Sequence, residues 1–202
     1  MSMNIEAQVV VDNLGSSICS PFFDKTGNLH VVFSDTGQIG LMRPGNEEIE
    51  EVHNTDGQPS CAVFSQEGAL YITDFTHGSV LVAADPIEST QTNKDFRSER
   101  QDLVVSVYED KPLKGPGSIA FDPNGNIFFT DSGPFGETGI HNATGSLFTI
   151  TSGVSTQILK PVVLEKLAGP SGIAIAPNGK FIYVTEMMTN RVLRFFERPT
   201  GM

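Results

Sequence analysis

The 202-residue chain carries 24 acidic and 13 basic side chains, a formal net charge of −11, and is long enough for one domain with a sizeable core. A field of that sign repels phosphate backbones and excludes a nucleic-acid partner, while leaving room for a divalent cation, a cationic ligand or a basic protein. With 39% hydrophobic and 18% charged residues, 20 glycines and 12 prolines, the composition is globular and rich in turns.

Residues 1–8 show neither the basic start nor the apolar core of a secretory signal. No run of about 18 apolar residues follows to span a membrane. The chain has 2 cysteines, Cys19 and Cys61, too few for a disulfide scaffold, so the expected location is cytoplasmic. Gln8–Leu14 (QVVVDNL) reads as a short strand. Next comes Pro21–Asp35 (PFFDKTGNLHVVFSD), two β-prone runs around Gly27, followed by predicted strands over Gln38–Met42 and Glu48–His53. The pattern returns at Ser60–Asp74 (SCAVFSQEGALYITD), with strands over Ser79–Ala83 and Leu103–Tyr108 and a polar loop over Pro86–Gln101 between them. It returns at Gly117–Asp131 (GSIAFDPNGNIFFTD), with an inserted connection over Gly133–Gly145 and strands over Ser146–Ile150 and Val162–Leu167. The last copy is Ser171–Glu186 (SGIAIAPNGKFIYVTE), followed by a strand over Arg191–Phe195.

Gly27, Gly68, Gly125 and Gly179 occupy one place in this repeat, a tight turn between two strands where positive φ is required. Four-stranded units of 40 to 57 residues are the signature of propeller blades. The fold expected is all-β: one propeller domain over 1–202 with four-stranded antiparallel blades at about 20–54, 59–109, 116–167 and 170–197. The last copy lacks a fourth strand, and Gln8–Leu14 is expected to supply it, closing the seam as propellers do to remove free edges.

The stretch Gly169–Phe195 resembles a blade of the strictosidine-synthase-like proteins, and with them the SMP-30/gluconolactonase group and the NHL-repeat propellers. Phe196–Gly201 resembles the strictosidine-synthase-like continuation. The resemblance implies a six-bladed relative, of which four blades are present. Three expectations follow: a shortened or partial form of such a propeller, which is favoured, a closed four-bladed ring, or completion by another chain.

For lactonases of that group the resemblance implies a divalent cation held on the axis by a glutamate, two asparagines and an aspartate, polarising the lactone carbonyl and activating water. Here the glutamate position holds Cys19, and the asparagine positions fall on Gly117 and Ser171. No residue matches the acid/base glutamate that strictosidine synthase implies, Glu186 included. Cys19, Ser60, Gly117, Ser118 and Ser171 remain candidate axial positions. Of the histidines His30, His53, His77 and His141, none has a metal-binding spacing. His77, in a connection between second and third strands, is the best placed to line a pocket.

Asp35, Asp74, Asp131 and Glu186 read as one acid closing the second strand of each copy, a turn cap accepting backbone N–H bonds more readily than a carboxylate ring for a cation. No catalytic residue, metal ligand or cofactor is assigned, with Ca²⁺ or another divalent ion the open possibility. The favoured function is a propeller-type interaction or scaffold module that has lost the metal-ligand set. Its expected partners are proteins, or further copies of itself completing the ring, with no nucleic acid and no membrane. The alternative is a divalent-metal-dependent hydrolase of lactones or esters, or a strictosidine-synthase-like enzyme.

Overall fold

In a computed structural model the structure describes residues 7, 9–12, 14–15, 17–43, 46, 48–83, 100–133, 136–152 and 157–196. Among these, every element is a β-strand. The first blade is β1 (Ile18–Phe23), β2 (Leu29–Phe33), β3 (Gln38–Met42) and β4 (Ile49–Asn54). The second is β5 (Pro59–Phe64), β6 (Leu70–Asp74), β7 (Ser79–Ala83) and β8 (Gln101–Val105). A two-stranded ribbon, β9 (Val107–Tyr108) and β10 (Lys111–Pro112), leads into the third blade. That blade is β11 (Pro116–Phe121), β12 (Ile127–Asp131), β13 (Gly145–Ser152) and β14 (Gln157–Leu167). The fourth is β15 (Pro170–Ile175), β16 (Ile182–Glu186) and β17 (Arg191–Phe195). All pair antiparallel in sequence order, and together they make a four-blade β-propeller.

The turn between the first two strands of every blade is built as its glycine demands: φ is 87° at Gly27, 94° at Gly68, 81° at Gly125 and 69° at Gly179. A side chain would strain the backbone there. In the first and third blades an aspartate completes the turn. Asp24 Oδ1 accepts the N–H of Thr26 at 2.8 Å and of Asn28 at 2.9 Å, and Asp122 Oδ1 accepts those of Asn124 and Asn126 at 2.8 Å each.

The core lies between blades. Val32, Ile39 and Leu41 of the first pack with Leu70, Ile72 and Leu81 of the second, and Val80 of the second joins Ile119, Phe129 and Phe148 of the third. Leu147 and Leu167 of the third meet Val184 of the fourth in a smaller cluster. The innermost strands β1, β5, β11 and β15 contact one another consecutively. Among the described residues no comparable interface joins β1 to β15, so the four blades form an arc.

That arc overturns the expected seam. Val9–Asp12 and Leu14 take no strand, with Val9 75% and Val10 65% exposed, and blade four has three strands among the described residues. Gln8 and Asn13 lie outside the described residues. The reason is geometric: without β1 beside β15, the edge of β17 is not presented to a segment tethered to β1. The polar loop expected over 86–101 also lies outside them, save Arg100 and Gln101, and Gln101 already begins β8.

Candidate functional site

The β-ladders align the four copies residue by residue. Cys19, Ser60, Gly117 and Ser171 fall at the second place of β1, β5, β11 and β15, and Ser20, Cys61, Ser118 and Gly172 at the third. These small residues line the innermost strands, and the side chains of Cys19, Ser20, Ser60 and Ser118 reach toward the following blade. Cys19 Sγ donates to Ser60 O at 3.5 Å, and Ser20 Oγ donates to Cys61 Sγ at 3.2 Å and accepts from the Ala62 N–H at 3.2 Å. Ser60 Oγ lies 2.8 Å from both Pro116 O and Gly117 O, with Thr73 Oγ1 donating to Gly117 O at 2.7 Å. Ser118 Oγ donates to Ser171 O, and Ser132 Oγ to Pro170 O at 2.7 Å. Each blade is thus hydrogen-bonded to the next along the axis.

Gly117 leaves room for this packing. A Cβ there would come within 3.0 Å of Ser132 Oγ and Thr130 Oγ1. Burial, and after it the neighbouring Cys61 thiol, push the Cys19 thiol above its ordinary pKa, so it stays protonated at neutral pH.

The second-strand acids divide. Asp74, Asp131 and Glu186 are the last residues of β6, β12 and β16 and are buried. Asp131 accepts from the backbone N–H of Lys114 at 2.9 Å and of Gly115 at 2.6 Å. Glu186 accepts from the Ala168 N–H at 2.7 Å, from the Thr189 hydroxyl, and from Arg191 Nε at 2.5 Å. Asp74 accepts from the Gln58 N–H at 3.2 Å, the His77 N–H at 2.9 Å and Thr55 Oγ1 at 2.8 Å. These carboxylates hold the chain where it enters the first strand of their own blade. Burial raises the Asp131 carboxyl above its usual pKa despite its N–H partners. In Glu186 burial acts in the same direction, but the bonds from Thr189, Ala168 and Arg191 outweigh it and lower the pKa.

Asp35 does not belong to this set. By register the first-blade counterpart is Phe33, which pairs with Gln38 as Asp74 pairs with Ser79 and Asp131 with Ser146. Asp35 lies two residues further on, exposed in the β2–β3 turn. Counting acids along the sequence concealed the offset because the turn also needs a polar residue.

Of the histidines, His77 alone joins a buried carboxylate to an accessible ring. His77 Nδ1 lies 3.1 Å from Asp74 Oδ1, and its side chain is 39% exposed. A Cβ at Gly57 would collide with His77 Nδ1 and both Asp74 oxygens at 2.4–2.6 Å, so the glycine shapes the seat of the pair. An imidazole held by one nitrogen presents the other to solvent, the arrangement that lets it take a proton from water. His30 is buried, bonded to Asp24 at 3.2 Å and packed on Phe22 and Phe64, and His53 is buried against Gln101 at 3.1 Å.

Five contributors are not singled out from the sequence: Thr55 and Gly57 around Asp74, and the threonine before each of the three buried acids. That last signal was visible in the repeats as Thr73, Thr130 and Thr185.

A family model described as the SMP-30/gluconolactonase/LRE-like region matches residues 20–201. The chain belongs to this family. Among curated relatives it is similar to lactonase drp35 of Staphylococcus aureus, at 24% identity over 184 residues, which is 89% of this chain and 51% of that protein. It therefore spans about half the length of that relative. Among solved structures the fold matches a gluconolactonase from Xanthomonas campestris (16% identity, TM-score 0.70, covering 91% of this chain and 59% of that one). It also matches a regucalcin, described as calcium-binding, from Agrobacterium tumefaciens (16% identity, TM-score 0.63, covering 91% and 56%).

The axial residues do not fit the divalent cation expected of this family. A hard cation needs six or more oxygen ligands, several of them charged. Here the positions hold a protonated thiol, a glycine and two serines, and Ser60 is engaged with the next blade. Among the described residues no group of three or more His, Cys, Asp or Glu side chains could hold a metal ion. Nor is any helix among them long and apolar enough to cross a membrane.

Proposed function

We propose that this chain forms part of a lactone- or ester-hydrolysing propeller. The family match over 20–201, with lactonases among the relatives, carries the reading. It moves the emphasis from the scaffold expected first to the hydrolase held as its alternative. Because the axial positions do not fit a divalent cation, the chemistry assigned to this chain's own residues is proton transfer by His77. Asp74 orients the ring through Nδ1, and the other ring nitrogen takes the proton of a water attacking the carbonyl and returns it to the leaving alkoxide as the acyl C–O bond breaks.

The experiment is a lactone-hydrolysis assay on the chain, with and without millimolar calcium, beside its His77→Gln variant. Turnover independent of calcium and lost in His77→Gln supports the reading, whereas equal rates for the two proteins refute the role of His77. Calcium-dependent turnover with a raised melting temperature would instead require a cation site, since a ligand bound to the folded state stabilises it.

A second reading, a non-catalytic scaffold, is favoured by one observation: the Cys19, Ser60 and Ser118 side chains are spent on blade-to-blade hydrogen bonds. Absence of turnover on lactones and simple esters, with the fold intact, supports it.

A further inference from the structure

The second and third blades meet through a fixed set of contacts. The hydroxyls of Ser60 and Thr73, 3.1 Å apart, face the carbonyls of Pro116 and Gly117, and Tyr71 packs edge-on against Phe121 at 5.2 Å. The first and second blades repeat the aromatic contact, with His30 edge-on against Phe64 at 5.1 Å. Blade four carries the donor half of this set in register: Ser171, Thr185 and Tyr183 stand where Ser60, Thr73 and Tyr71 stand in blade two. Here the two hydroxyls are 2.9 Å apart and exposed, and Tyr183 is 37% exposed. Blade one carries the acceptor half. Ile18, Cys19 and Phe23 stand where Pro116, Gly117 and Phe121 stand in blade three, and Phe23 is 66% exposed.

Charge follows the same division. Within 170–197 the chain has three cations, Lys180, Arg191 and Arg194, against two anions, Glu186 and Glu197. Within 18–54 it has six anions against two cations. The blade with the free donor face is thus net positive in a chain of net charge −11, and the blade with the free acceptor face is net negative.

We propose that copies of this chain associate head to tail, blade four of one seated on blade one of the next. The Ser171 and Thr185 hydroxyls donate to the Ile18 and Cys19 carbonyls of the neighbour, and Tyr183 packs on its Phe23. The occupant is a second copy because the chain presents both halves of an interface that it already builds internally, with opposite net charge on the two. The contact is heterologous, so it propagates until a ring closes or a filament forms.

Light scattering on the chain over a concentration series tests this, beside Tyr183→Asp and Phe23→Asp. Both substituted side chains are partly or largely exposed, and circular dichroism checks that each variant folds. The expected result is a wild-type mass rising with concentration from 21.8 kDa to at least twice that value, more readily at low salt. Each variant alone stays at 21.8 kDa. An equimolar mixture of the two gives a dimer and nothing larger, because Tyr183→Asp keeps an intact blade-one face and Phe23→Asp an intact blade-four face. A wild-type mass fixed at 21.8 kDa overturns the proposal and leaves the face to a different polypeptide. Association surviving in both variants also overturns it. Should either variant fail to fold, the wild-type mass and its salt dependence still decide.

Discussion

The junction of blades two and three and the outer face of blade four are made of nearly the same residues and have opposite exposure. Thr73 is fully buried and Thr185 exposed; Ser60 is half-buried and Ser171 exposed. Nothing in Ser, Thr or Tyr at those places makes one face a core and the other a surface. The neighbour does that: burial here is a property of the blade pair, as expected where each repeat buries its face only against the next.

The comparison is tested most severely in the filled junction. Phe129 is fully buried and stacked on Phe148 at 5.4 Å, inside the cluster shared by blades two and three. Replacing it with alanine is expected to cost about 3–5 kcal/mol by urea denaturation, the range for a large-to-small change in a packed core. Phe196, 52% exposed at the free face, is expected to cost under about 1 kcal/mol. A comparable loss at both would mean that blade four is packed in solution.

Next in size are the acids. Asp131→Ala strips the Lys114 and Gly115 N–H groups of their acceptor and is expected to destabilise by about 2–3 kcal/mol, in the range for orphaned buried donors. Asp35→Ala, in an exposed turn, is expected to stay within about 0.5 kcal/mol. The same denaturation curves separate them, and equal effects would restore Asp35 to the set from which the register removes it.

The hydroxyls give a smaller contrast. Thr73→Val removes a bond to Gly117 O and is expected to lose about 1 kcal/mol, while Thr185→Val should lose a few tenths in monomeric protein. Raising the protein concentration sharpens this test, because the two effects converge if blade four becomes covered.

The mildest effect is on pH. Burial alone would raise the Asp24 carboxyl, but hydrogen bonds from Thr26, Asn28 and His30 hold it well below the usual carboxylate range. A pKa lower in the folded than in the unfolded state stabilises the ionised fold. That contribution is complete above the ordinary value near 3.8 and disappears as pH falls through the depressed folded value. Asp24→Asn should therefore flatten the acid limb of a melting-temperature profile without changing its shape near neutrality.

How far the sequence reached differs between fold and site. Strands over Gln38–Met42, Ser79–Ala83 and Arg191–Phe195 were read to the residue because each is a short β-prone run between turn signals. The axial positions were also legible, since one small residue recurs at one place in each copy. Their use was not. That Ser60 faces Gly117 O, or that Cys19 lies across from Ser60 in the neighbouring blade, depends on strands 41 to 57 residues apart. The loop position of His77 is legible in the sequence, but its pairing with Asp74, which reads there as one of four repeated turn caps, is not.

The sequence by itself determined the blade. Its glycines fix the turns, its alternation fixes the strands, and its copies fix the number of blades, all through interactions local to one repeat. Tertiary structure decided what the blades do to one another. It left β1 and β15 apart, moved Asp35 out of the acid set, paired Asp74 with His77, and turned the candidate axial residues into blade-to-blade bonds. Those outcomes depend on which faces meet, and a repeat that presents the same face four times does not say which of those faces meet.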